Sequence, residues 1–314
     1  MKMRKKILTP IKLSNLFIIC LFFILAASVS NGQVDSKEII KIKQSQIKKS
    51  KIKSETAWSY SLNNKSMEKI KVSYREYDEN GVLTKQIIYD SDGNIISDGS
   101  YVYNQDGQLL SSYSQKDGKP AAKNIYKYGS DKNITKVETY NDNNELTIEM
   151  NYKYNSDGKV EQLQTSTPDK KVDISFLYTY NTEGKLMEVK IHDVKNNITS
   201  KGVFKYDTKG NEIARLTYRG DGRIAQISEK KYDENSFLIE EVVKNSLSEI
   251  ISKTEFINNE NGNEIEKTSS NPAANFSKKS KSILDENGNV LEQLLYNKLG
   301  ELSGKVVNEK EYYK

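Results

Sequence analysis

The sequence predicts an all-β protein built from tandem antiparallel β-hairpin repeats, arranged as an elongated twisted sheet or an open β-solenoid. One motif carries that expectation: an aromatic slot, a polar turn with Gly at its fifth position, and an aliphatic residue at its seventh. Tyr154-Asn155-Ser156-Asp157-Gly158-Lys159-Val160 is a full copy. Slots fall at 77, 103, 128, 154, 180, 206, 232, 258 and 284, and in a second series at 89, 114, 140, 166, 192, 218, 244, 270 and 296. Both series advance by 26 residues with one slip of 25, which is read as a residue lost between Tyr103 and Ser114. Register kept over nine units marks a repeat architecture, in which each unit buries its apolar face on its neighbours.

The segments between slots are too short for helix pairs. Asn80-Gly81, Asp92-Gly93, Asp106-Gly107, Asp117-Gly118, Asp157-Gly158, Asn261-Gly262 and Asn287-Gly288 supply the positive φ of hairpin turns. Strands such as Ile95 to Tyr103 and Val172 to Tyr180 run between them. Gly holds the fifth position in seven of nine first-series turns but four of nine second-series turns, so the two series are expected at opposite ends of an up-and-down sheet. Fifteen of the eighteen seventh positions are apolar; Glu212 and Glu264 break the pattern with Ile213 and Ile265 alongside, as a local bulge would produce.

In chain order, residues 1–32 read as a signal peptide. Lys2, Arg4, Lys5, Lys6 and Lys12 precede an apolar run from Leu16 to Ala27 and a small-residue exit, with cleavage after Ser30 or after Gly32. That run of twelve falls short of the roughly twenty residues that span a bilayer, so no membrane span is expected once the signal is removed. The only cysteine, Cys20, would leave with it, and no disulfide could form. Residues 33–60 are a Lys-rich linker or N-terminal cap, and Trp58 and Tyr60 begin the ordered part. Residues 61–314 are the repeat array.

Fifteen of the twenty Tyr sit in a slot or two residues before one, as in Tyr101/Tyr103, Tyr126/Tyr128, Tyr152/Tyr154 and Tyr178/Tyr180, so a ladder of rings on one face is expected. Ser97, Asp98, Lys136, Gln162, Gln164, Glu188, Lys190 and Ser228 suggest polar mid-strand positions on both faces, and with 36% hydrophobic residues a deep two-layer core is not expected.

Tyr77-Asp78-Glu79-Asn80-Gly81-Val82-Leu83 and Tyr206-Asp207-Thr208-Lys209-Gly210 resemble the YD repeats of the Rhs family of bacterial surface and toxin-associated proteins. The resemblance covers about 250 of the 314 residues. It implies β-strand repeats winding into a sheet spiral in an exported shell, adhesin or carbohydrate-binding surface. The self-cleaving core and toxin of the long family members are not expected here. The tandem hairpins are also similar to MORN-type repeats, which carry Trp or Tyr near a Gly-rich turn at a shorter period.

Chemistry is sparse. The whole chain carries +5, which the five basic residues of the signal region account for; residues 33–60 add a local +4, leaving the repeats near −4. A mildly acidic array is a poor match for a phosphate backbone, so no nucleic-acid partner is expected. His192 is the sole histidine and occupies a slot otherwise held by Tyr, which argues against His-based catalysis and against His/Cys zinc sites. Asp90-Ser91-Asp92-Gly93-Asn94 places its Gly fourth, unlike an EF-hand loop. Neither a cofactor, a metal nor a catalytic residue is expected, and no binding residue is singled out. The expected function is that of an exported, non-enzymatic repeat protein in the periplasm, at the cell surface or outside the cell, which presents an extended β surface to a glycan or a cell-envelope protein. A purely structural spacer or shell component is the alternative; a glycan-processing hydrolase using paired carboxylates ranks below both.

Overall fold

The computed structural model describes residues 36–63, 66–116, 119–195 and 197–314. The signal-peptide region, Cys20 and the Asp117-Gly118 turn lie outside the described residues. Among the described residues, one helix, α1 (Ser36–Lys49), precedes twenty strands. Ten lie in the first half: β1 (Ile52–Asn63), β2 (Ser66–Tyr77), β3 (Leu83–Tyr89), β4 (Ile95–Tyr103), β5 (Leu109–Lys116), β6 (Lys119–Tyr128), β7 (Ile134–Tyr140), β8 (Leu146–Tyr154), β9 (Val160–Ser166) and β10 (Asp173–Tyr180). Ten follow: β11 (Leu186–His192), β12 (Ile198–Tyr206), β13 (Glu212–Arg219), β14 (Ile224–Tyr232), β15 (Leu238–Asn245), β16 (Ile250–Asn258), β17 (Glu264–Asn271), β18 (Phe276–Leu284), β19 (Val290–Tyr296) and β20 (Leu302–Tyr312).

Each strand pairs antiparallel with the next, and β1 also pairs with β20, through Ala57 with Asn308 and Ser59 with Val306. The sheet is therefore a closed barrel of 20 strands, and the open sheet or solenoid expected from the sequence is corrected. Closure removes the two edge strands that an open array would leave unpaired. The hairpins and their alternating turns are as expected.

Those turns follow one recipe. In the turn after β8, Gly158 N–H bonds to Asn155 C=O, Asn155 N–H to Lys159 C=O, and the Asn155 side chain accepts from the Asp157 and Lys159 amides. Positive φ occurs at the fifth motif position in all nine first-series turns, including Lys132 and Ser236 where Gly is missing. The preceding residue does not share it, so these are type I turns followed by a left-handed residue, rather than tight turns with two such residues. The geometry pairs slot with seventh position, as Tyr154 with Val160, and leaves the eighth residue bulged: Lys153 pairs with Gln162. Glu212 keeps this same register opposite Tyr206, so the extra bulge expected beside it is not there. The missing residue belongs to the β5–β6 turn, where Gln115 pairs with Pro120 and Lys116 with Lys119, not to β5 itself.

The repeated bulge also decides the faces. Tyr77 at the end of β2 and Tyr89 at the end of β3 are twelve residues apart, an even number, but the skipped Thr84 reverses the alternation between them. First-series tyrosines consequently share the face that holds Ala57, Ser73, Val137, Met150, Leu163, Tyr178 and Phe204, all buried, while Tyr89, Tyr140 and Tyr218 point to the other. The single ladder of rings expected from the sequence is thus two sets on opposite faces. The buried face is the inward one. Of the mid-strand polar residues that looked two-sided, Asp98, Lys136, Gln162, Gln164, Glu188 and Lys190 point outward, and only Ser97 and Ser228 inward.

Residues 33–60, expected to be linker or cap, contain α1 and most of β1. Lys48 and Lys49 sit in the last helical turn, where the macrodipole favours cations, and Lys51 at φ 52° ends the helix. Ile47 fixes the helix by packing on Ile52, Tyr77 and Leu83. Across the ring from there, Val137, Met150, Leu163, Tyr178, Leu186 and Phe204 form a second apolar cluster drawn entirely from β7 to β12. Its partly buried neighbours, such as Tyr126, Tyr152 and Phe176, also come from consecutive strands. The wall therefore packs along itself.

Candidate lumenal wall and rim cavity

Five first-series tyrosines share a contact. Each hydroxyl donates to the seventh-position carbonyl of the preceding repeat: Tyr128 to Leu109 at 2.8 Å, Tyr154 to Ile134 at 2.7 Å, Tyr180 to Val160 at 2.8 Å, Tyr206 to Leu186 at 2.8 Å and Tyr232 to Glu212 at 2.9 Å. Asn258 and Asn308 supply an amide N–H to Leu238 and Val290 in the same way. At this rim β7 and β8 share no turn, and their pairing stops at Lys136 with Asn151. The tyrosine satisfies a carbonyl that the ladder leaves bare. Desolvation pushes the phenols of Tyr152, Tyr154 and Tyr180 up to about 12.

The inner wall changes character around the ring. From β4 to β12 it carries Tyr101/Tyr103, Tyr126/Tyr128, Tyr152/Tyr154, Tyr178/Tyr180 and Phe204/Tyr206. From β16 to β1 the inward positions hold Ser252, Thr254, Ser269, Ser280, Ser282 and Ser59, with Lys267 and Lys278 over the inward rings of Phe256 and Phe276. In a closed ring of 20, β8 and β18 are half the circumference apart, so the tyrosine-rich and hydroxyl-rich sectors face each other.

Between the sectors stands a charged group the sequence pattern hid. Glu212 is 1% exposed, and its Oε1 lies 3.1 Å from both Arg215 Nη2 and Lys230 Nζ. Arg215 also lies over the Phe204 ring, 5.0 Å from its centroid. An acid in an otherwise aliphatic slot, with basic residues at 215 and 230, was the readable signal; it was taken for a bulge.

At the rim with the first-series turns, α1 covers a cavity of about 460 Å³. Lys43 and Gln46 of α1 form its roof, Glu55, Arg75 and Asn308 its inward wall, and Asn263 its side. Glu55 and Arg75 pair at 3.3 Å. The helix is held there by Lys48 Nζ donating to Asn80, by the Asn289 amide donating to Ser50, and by its close approach to Gly81. The Tyr77 hydroxyl, buried and 6% exposed as a residue, has no hydrogen-bond partner, and its phenol is pushed up to about 12 by desolvation and the nearby Glu55 carboxylate.

The outer wall is a lattice of charges. Lys127 with Glu138, Lys136 with Glu149, Lys231 with Glu240 and Lys305 with Glu292 pair at 2.6–2.9 Å on the outward face, Lys136 and Lys305 within their strands and Lys127 and Lys231 one residue from a strand end. A lipid-facing barrel instead needs an outward apolar band about 25 Å tall. Among the described residues no helix is long and apolar enough to cross a membrane.

The residues weighed from sequence fall as follows. His192 occupies the outward slot at the far rim, paired with Ser175 and Ile198. Asp90 accepts from the Asp92 and Asn94 amides within its own turn, and those bonds together with the Asn94 side chain lower its pKa. Trp58 lies outward, donating to Glu309 at 2.8 Å beneath Lys69.

No family description and no curated protein matches the sequence. Among solved structures, the chain is similar to a porin-like protein from Bacteroides uniformis ATCC 8492 at 7% identity and a TM-score of 0.35, over 83% of this chain and 98% of that one. A porin-like protein from Bacteroides vulgatus ATCC 8482 is similar at 9% identity and a TM-score of 0.22, over 82% and 97%. TcdB2-TccC3 is similar at 10% identity and a TM-score of 0.24; the match spans 80% of this chain and 19% of that one. Scores this low carry no argument about fold or function, and the closure described above rests on this chain's own strand pairing.

Proposed function

We propose that the chain is an exported, non-enzymatic binding protein of the cell envelope, with a YD-type repeat array that encloses its binding surface instead of spreading it out. The ligand class is an extended glycan. The observation that carries this reading is the two-sector inner wall, tyrosine-rich around β8 and, around β18, rich in hydroxyls with Lys267 and Lys278 over Phe256 and Phe276. A glycan has apolar ring faces that stack on aromatic side chains and polar edges that hydrogen-bond to hydroxyl and ammonium groups. The charged outer wall suits a water-filled compartment such as the periplasm or the cell exterior.

The test is a screen of purified protein against immobilised polysaccharides, followed by titration of any hit. Binding should weaken by about tenfold, or about 1.4 kcal/mol, when Lys267 and Lys278 are replaced by Ala. Replacing Lys127 on the outer wall should leave it unchanged. No binder in the screen, or a hit insensitive to the lumenal lysines, overturns the reading.

A structural shell or spacer is the second reading. Five tyrosine hydroxyls spent on the wall's own carbonyls favour it. Under that reading the inner wall variants alter stability and no ligand binding is found.

A further inference from the structure

The rim cavity is a separate feature from the lumenal wall, and its chemistry is more specific. Its volume of about 460 Å³ lies within the ~300–1,000 Å³ of small-molecule sites. Gln46, Asn263, Asn308, Glu55, Arg75 and Lys43 give it planar amide, carboxylate and guanidinium groups beside a flexible ammonium. Such groups bridge neighbouring hydroxyls because each offers two donors, two acceptors or one of each in a fixed fork.

The charges do not cancel. Glu55 is already paired with Arg75, which leaves Lys43 in excess on the roof. The adjacent Lys310 and Asp285 pair with each other at 3.3 Å and add no net charge. Behind the Glu55–Arg75 pair, outside the cavity lining, the buried Tyr77 hydroxyl has no hydrogen-bond partner among the described residues.

We propose that the cavity under α1 binds a single carboxylated sugar, its hydroxyls held by the amides and the Glu55–Arg75 pair and its carboxylate held by Lys43. This rests on the glycan reading and narrows it: the cavity would hold the terminal residue of an acidic chain whose remainder continues along the inner wall. α1 is the roof of that site, so docking of the helix and occupation of the cavity are coupled.

Glucuronate and glucose are the probes, titrated into the full chain by calorimetry. Glucuronate should bind at least about tenfold more tightly than glucose. Lys43→Ala and Gln46→Ala, which line the cavity and leave the Ile47 packing that docks α1 in place, should each weaken glucuronate by about tenfold while circular dichroism stays unchanged. Gly81→Ala, which forces α1 away, should abolish binding, and Gly158→Ala should not. Equal affinity for the two sugars, or glucuronate binding untouched by Lys43→Ala, overturns the proposal. If a polysaccharide binds and glucuronate does not, the cavity proposal fails while the lumenal reading stands; if neither binds, both fail.

Discussion

The Tyr154 hydroxyl donates to the Ile134 carbonyl at 2.7 Å, closing the gap between two strands that diverge at that rim. Tyr77 occupies the equivalent slot of the first repeat, and its hydroxyl has no partner; its own carbonyl instead accepts from Tyr313 at 2.6 Å. The pair makes an internal control. Tyr154→Phe should cost about 1–2 kcal/mol, because a bond is lost and a half-buried carbonyl is left bare. Tyr77→Phe should be neutral or slightly stabilising. Urea midpoints of the two variants, compared at constant m-value, check this; equal losses would count against the stapling role.

Gly81 and Gly158 have nearly the same backbone, φ 76° and 73°, in equivalent turns. A Cβ on Gly158 meets nothing within 4 Å, whereas one on Gly81 would sit 2.3 Å from the Gln44 carbonyl oxygen of α1. Alanine at either position carries the left-handed strain of about 1–2 kcal/mol. Gly81→Ala should add the loss of helix docking. Hydrogen exchange should then show α1 amides deprotected in Gly81→Ala and protected in Gly158→Ala.

What the sequence disclosed and what it hid divide along one physical line. Slot spacing, hairpins and alternating turn ends were legible because each depends on residues within one 26-residue unit. Closure was not, since it depends on β1 meeting β20, and Ala57 and Asn308 carry no mark of each other. The faces were obscured by the bulge after every turn: Tyr77 and Tyr89 are twelve apart, so parity alone puts them together, yet the skipped Thr84 separates them. Glu212 was misread for the same reason, because an acid in an aliphatic slot looks like a shifted register until Arg215 and Lys230 are seen beside it. The rim cavity was beyond reach, as its parts come from residues 43 to 308.

Alkaline unfolding should be early and steep. Burial raises the folded-state phenols of Tyr152, Tyr154, Tyr180 and Tyr206 to about 12, against about 10 for a free tyrosine. The folded protein therefore holds these protons more tightly than the unfolded chain. Their contribution is complete below pH ~10 and is lost as pH rises through 12. Tyrosinate absorbance should rise together with loss of β circular dichroism in that window. A tyrosinate signal from these rings that develops while the sheet stays intact would show that burial does not control them.

Removing residues 302–314 should convert the ring into an open sheet. β20 is the strand that joins β19 to β1, and without it both of those become edges with unpaired amides and carbonyls. The truncated chain is expected to elute as oligomers or aggregates where the full chain elutes as a single species. Trp58 reports the same seam in the full chain, since its indole N–H donates to Glu309 of β20 at 2.8 Å. Its emission should shift on Glu309→Ala without loss of the sheet.

The outer wall predicts the solvent in which the barrel folds. Lys136–Glu149 and Lys305–Glu292 lie within their strands on the outward face, where a membrane barrel would meet lipid. A lysine at a bilayer midplane costs about 2–4 kcal/mol, so such pairs oppose insertion, whereas in water each contributes about 0–1 kcal/mol. Refolding from urea should therefore go to completion in detergent-free buffer, and flotation with phosphatidylcholine vesicles should leave the protein in the aqueous fraction. Because surface pairs are screened, raising the salt to about 1 M should move the thermal midpoint by only a few degrees. A requirement for detergent to fold, or co-flotation resistant to high salt, would mean that the charged face is not the outer one and that the assignment of inward tyrosines is inverted.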